Sequence, residues 1–179
     1  TAVMSAMLAD EVLVARLQTA AAACVSCLEG GGKLLLAGNG GSAADAQHIA
    51  AEFVSRLPID RPGMAAIALT TDTASLTAVG NDYGFEHVFA RQLQALGRAG
   101  DVAVGISTSG NAANVLAGLR AAREIGMVTV AMTGAGGGKA RAEVDYWVGV
   151  PSDDTPRIQE SHIMIGHVWS ELVEAALFG

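Results

Sequence analysis

The chain has 179 residues, of which 51% are apolar, 4% aromatic and 16% charged, and its formal net charge is -7. That length is about one domain's worth of chain and large enough to bury a substantial core. The negative balance, with no basic stripe, excludes a nucleic-acid phosphate backbone as partner.

Apolar residues over 3–28 fit a long helix, ended by Gly30, Gly31 and Gly32. Asp10, Glu11, Arg16 and Glu29 interrupt the pattern, so the region lacks the basic-then-apolar layout of a signal peptide, and the chain reads as cytoplasmic. Cys24 and Cys27 form a C-x-x-C near the end of this helix. A zinc ribbon needs a second pair, and a redox pair should open a helix, so both thiols are expected to be reduced and buried.

Residues 33–37 read as a buried strand and 42–57 as a helix. Another apolar run covers 64–69, and 70–97 reads as mostly helical around the turn GNDYGFEH. Strands at 102–106 and 128–132 flank a helix over 111–125, a short helix follows at 139–142, and a last strand covers 146–150. A helix over 155–178 closes the chain, with Thr155 as N-cap and Pro156 in the first helical position. The longest charge-free stretch, 102–119, carries Ser107, Thr108, Ser109, Asn111 and Asn114 and makes a poor bilayer span, so no membrane partner is expected.

Short apolar strands separated by helices imply an α/β fold, a three-layer α/β/α sandwich around a mainly parallel five-stranded sheet. A single domain is expected, without repeats or linker. Ligands in such sheets sit at the carboxyl ends of the strands. GNGGS (38–42) leaves one strand and opens a helix, and STSGNAAN (107–114) does the same with successive hydroxyl donors. Neither loop is a dinucleotide or P-loop fingerprint. Each reads either as a plain turn or as an anion cradle, and two on one sheet edge favour the phosphate of a small ligand.

His48 and Glu52 are four apart, hence on one helix face, as a surface ion pair or as two metal ligands. The last helix carries Gln159, His162 and His167, of which His162 reads as a surface or interface residue. Gln159 and His167 lie about 12 Å apart along a regular helix axis. If both serve one site, side-chain reach closes the gap or a neighbouring subunit supplies one of them.

The runs GNGGSAADAQHIAAEF, RPG, GNDYGFEHVFARQ, GISTSGN and RIQESHIMIGHVW, in this order over nearly the whole chain, resemble the phosphoheptose isomerases of the sugar isomerase (SIS) superfamily. The resemblance implies a single SIS domain, flavodoxin-like or Rossmann-like, whose first and last helices build a homotetramer with active sites shared between subunits. It implies isomerisation of D-sedoheptulose 7-phosphate, a sugar phosphate, to D-glycero-D-manno-heptose 7-phosphate through an enediol. It puts substrate at Asn39, Gly40, Gly41, Ser42, Arg56, Asn81, Asp82, Ser107, Thr108, Ser109 and Gln159, with Glu52 and His167 as acid and base. It also implies zinc held by His48, Glu52, Gln159 and His167, and no organic cofactor. Ala112 stands where the family often has serine, which removes one phosphate hydroxyl. A binding role without turnover, as in the DnaA-associating replication factor of the same superfamily, is the alternative.

Overall fold

Alternate residues of the apolar runs supply the two faces of the sheet in the structure, a computed structural model that describes residues 2–179. Five strands, β1 (Leu34–Gly38), β2 (Ala66–Ala68), β3 (Val102–Ile106), β4 (Val128–Thr133) and β5 (Tyr146–Gly149), all pair in parallel in the order β2-β1-β3-β4-β5. In β1, Leu34 and Leu36 point to one core, and Leu35 and Ala37 to the other. Both layers are covered, so β1 and β3 are buried at every position.

Helices α2 (Glu11–Glu29), α3 (Gly41–Val54) and α8 (Thr155–Phe178) cover the first face. Helices α4 (Thr73–Asp82), α5 (Val88–Leu96) and α6 (Ala113–Ile125) contribute to the second. The remaining helices, α1 (Ala2–Ala9) and the short α7 (Ala140–Glu143), pack beside α2 and β5 respectively. Strand order reverses between β1 and β3, and the loops leaving those two strands flank the crevice.

The expected long first helix is two. Asp10 breaks it with extended backbone, and its carboxylate accepts the amides of Val12 and Leu13, both at 3.0 Å. A short acidic side chain competes with the helix for these amides and so caps α2 instead of continuing α1. The last helix has the expected bounds, but its N-cap is one residue earlier than expected. Asp154 holds the N-cap backbone geometry, Thr155 is already helical, and Pro156 follows in the first turn. Helix α3 stops at Val54 rather than reaching Leu57, because the amides of Leu57 and Ile59 turn away to the carboxylate of Glu174. By length and composition α2 could cross a bilayer; in the fold it lies along α8 and β5 with Ala20 and Cys24 fully buried. Cys24 and Cys27 are free and buried as expected, and burial first, then the neighbouring Cys27, pushes the Cys24 thiol up.

Candidate active site

Helix α3 carries His48 and Glu52 one turn apart, and the close approach of α8 brings His167 to them. Gly166 makes that approach, since a Cβ there would lie 2.5 Å from Ile49. The two imidazole Nε2 atoms are 2.8 Å apart, and Glu52 Oε1 lies 3.2 Å from His48 Nε2 and 3.9 Å from His167 Nε2. The rings meet edge to face, with centroids 5.0 Å apart. Both histidine side chains are about half exposed, at 49% and 47%, while the Glu52 carboxylate is only 19% exposed.

Two imidazole nitrogens this close cannot both present bare lone pairs, so a proton or a cation must lie between them. The three ligand atoms fall within 4.8 Å of one another. Two imidazoles and a carboxylate are the donor set of a catalytic divalent site with an open position. All three donors belong to one chain, so no partner subunit is needed to assemble them.

Asp45, one turn before His48, was not among the expected site residues. Its Oδ2 is buried without a partner, and burial lifts the carboxyl to about 6 against a downward pull from His48. Its spacing of three residues from His48 was the available signal.

The phosphate side is built from the loops at the crevice. Gly40, at φ 57, opens α3 without a side-chain cap, and Ala112 opens α6 likewise. Helices α2 and α4 are instead closed by Asp10 and Asp72. Uncapped first turns at a sheet's carboxyl edge leave positive ends for an anion. The two loops are tied by Asn39 and Asn114, whose side-chain amides exchange two bonds of 2.8 Å. Asn39 therefore spends its amide on holding the crevice together.

Ser107 is buried, Ser109 is exposed, and Thr108 lies between these extremes. Thr108 and Ser109 line a cavity of about 270 Å³ together with Gly134, Gly136, Gly137, Asp153, Thr155 and Ile158. The glycine loop after β4 and the start of α8 are thus part of this wall, which the sequence reading passed over although GAGGG is a third post-strand glycine run. Gly134 N–H donates to Thr108 O at 2.9 Å and holds the two loops together.

The other expected residues fall in separate places. Gln159 lies against Gly41 at the start of α3, about 10 Å along the axis from His48. Ser42 is buried in the same first turn of α3. Arg56 follows the end of α3 and is exposed, rather than one helical turn beyond Glu52. Asn81 and Asp82 are exposed at the end of α4, where the amide donates to the carboxylate at 2.8 Å. His162 is no surface residue: it is fully buried, with Nε2 at 3.1 Å from the Thr133 carbonyl.

Comparison with known proteins gives the family. The SIS domain family matches residues 1–134. A phosphoheptose isomerase of Burkholderia pseudomallei (strain 1710b) is 59% identical over 177 residues, covering 99% of this chain and 90% of its own length. One from Aneurinibacillus thermoaerophilus is 57% identical over 176 residues, covering 98% and 89%. The solved structure of a phosphoheptose isomerase from Neisseria gonorrhoeae superposes with a TM-score of 0.89 at 49% identity, covering 96% of this chain and 92% of that one.

Proposed function

As the chain belongs to the phosphoheptose isomerases of the SIS domain family, we infer that it interconverts D-sedoheptulose 7-phosphate and D-glycero-D-manno-heptose 7-phosphate at a site built from the loops after β1 and β3 and from helices α3 and α8. The observation that carries the reading is the convergence of His48, Glu52 and His167 where α8 packs against α3. A binding role without turnover, the alternative reading of the fold, loses its ground with that trio intact.

The phosphate is held by the hydroxyls of Ser107, Thr108 and Ser109 and by the open first turn of α6. Asn39, Gly40, Gly41 and Ser42 form the opposite wall, with Gln159 standing against it at Gly41. With the phosphate tethered, the carbonyl end reaches the trio. Glu52, the least exposed of the three, removes the proton from C1 of the ketose. His167 donates a proton to the C2 carbonyl oxygen, which gives the enediol. The O1 proton then returns to His167 as Glu52 delivers its proton to C2, leaving an aldehyde at C1. No proton or electron is gained or lost over the cycle.

His48, Glu52 and His167 also fit a divalent cation, zinc by preference, which when bound would supply Lewis-acid polarisation of the carbonyl. Gln159, placed by Gly41, serves the substrate in this scheme rather than the cation.

Assembly is the remaining part of the reading. Leu8, Val14, Val168 and Leu172 line an apolar groove between α1, α2 and α8, and Leu8 is 82% exposed. His167 precedes Val168 on the groove's edge. A homotetramer built through these helices would cover the groove and enclose the site. Aldose formation from sedoheptulose 7-phosphate, compared among the wild type, Glu52→Gln and His167→Ala, tests the assigned roles.

A further inference from the structure

The connection from α3 to β2 carries one half of a charged pair with almost no access to water, and α8 carries the other. Arg61 Nε lies 2.8 Å from Glu174 Oε1, with side chains only 1% and 0% exposed. The rest of the guanidinium fork is spent on backbone: Nη1 donates to the carbonyls of Phe53 (2.8 Å), Ser55 (3.1 Å) and Pro62 (3.0 Å), and Nη2 to that of Glu52 (3.0 Å). Glu174 accepts the amides of Leu57 at 3.2 Å and Ile59 at 3.4 Å besides Arg61. Burial raises its carboxyl, but these donors outweigh burial and hold it below the usual carboxylate range.

Two features set this pair apart from an ordinary buried ion pair. The guanidinium caps the last turn of α3 at Glu52 itself, placing a cation at the negative end of the helix. Its partner stands on α8, two turns beyond His167 and on the same helix. One side chain thus bonds the helix end that carries the proposed base and, through Glu174, the helix that carries the proposed acid. We propose that Arg61, fixed by Glu174, is a positioning residue that sets the distance between the Glu52 carboxylate and the His167 imidazole. The proposal rests on the reading of those two groups as the reacting pair. A planar fork with fixed donor directions suits this task, and a lysine ammonium does not.

Breaking a buried pair also weakens the fold, so the test separates the two effects. Arg61→Lys and Glu174→Gln are compared with the double variant Arg61→Met/Glu174→Leu, which refills the space with apolar groups and restores packing. Each is assayed below its own melting transition. The expected result is turnover lowered by about 10- to 100-fold in all three, with KM for the ketose phosphate changed less than about threefold because the phosphate loops are untouched. Affinity for Co²⁺, titrated into metal-free protein and read by its visible absorption, is expected to fall about tenfold in parallel. A folded double variant with wild-type turnover and wild-type Co²⁺ affinity would overturn the proposal, and so would wild-type values in either single variant. Glu52→Gln is run alongside. Full activity there strikes the functional reading, whereas lost activity there with normal turnover in the Arg61 and Glu174 variants strikes the clamp alone.

Discussion

Asn39 and Asn114 face each other across the reversal of strand order and exchange two side-chain hydrogen bonds of 2.8 Å each. The pair welds the GNGGS loop to the first turn of α6, and Asn114 additionally bonds the amide of Val115 at 2.9 Å. Asn114→Ala leaves a half-buried amide without its partner and lets the two loops separate. KM for the sugar phosphate is expected to rise about tenfold, the equivalent of one lost hydrogen-bonded pair, with a smaller change in kcat. Steady-state kinetics checks this; an unchanged KM would show that the loops keep their spacing without the pair.

Ala112 occupies the N-cap of α6 in extended backbone, with nothing bonding the first-turn amides from its side chain. Ala112→Ser adds a capping hydroxyl in a conformation that serine adopts readily. The melting temperature is expected to rise, with about 1 kcal/mol of added stability. KM is expected to fall a few fold, since the same hydroxyl adds a donor at the loop proposed to hold the phosphate. Thermal unfolding with and without inorganic phosphate separates the two contributions.

Acid should loosen the core at His162. Burial lowers its pKa from 6.5 to about 4, against an upward pull from the bond to Thr133. The unfolded chain therefore takes up this proton first as pH falls. Stability is complete above pH 6.5 and is lost progressively towards about pH 4, a span worth about 3 kcal/mol. Asp45, raised to about 6, acts in the opposite sense, because the native state holds its proton longer. Urea unfolding at pH 7 and pH 4.5 isolates the histidine by comparison with His162→Gln, whose stability should change less between the two pH values. Identical pH dependence in both proteins would contradict the assignment.

Leu8 is the most exposed large apolar side chain among the described residues. A charge placed there, Leu8→Glu, is expected to break the proposed assembly and lower turnover while the monomer fold survives. Light scattering against concentration reads the mass directly, and a wild-type monomer at assay concentration would refute the tetramer.

The layered fold was legible because buried parallel strands are short apolar runs bounded by turn residues, and KLLLAG and VAVGI fit that pattern in length and composition. Its errors have local causes. Asp10 read as one more acidic residue on a helix face, whereas its backbone-capping role depends on geometry that spacing does not carry. His48 and Glu52 announced themselves by their four-residue separation. Their meeting with His167 depended on Gly166 packing against Ile49, a contact between helices more than 100 residues apart in sequence that no periodicity encodes. The same holds for Arg61 and Glu174, and for the burial of His162, which differs from exposed His167 only in which side of α8 it occupies.

The central claim, that Glu52 and His167 move the proton between neighbouring sugar carbons, is tested most directly by running the isomerisation in deuterated water. The expected outcome is aldose carrying deuterium at C2 from the wild type, with both turnover and deuterium uptake lost in Glu52→Gln and sharply reduced in His167→Ala. Wild-type rates of turnover and exchange in both variants would contradict it.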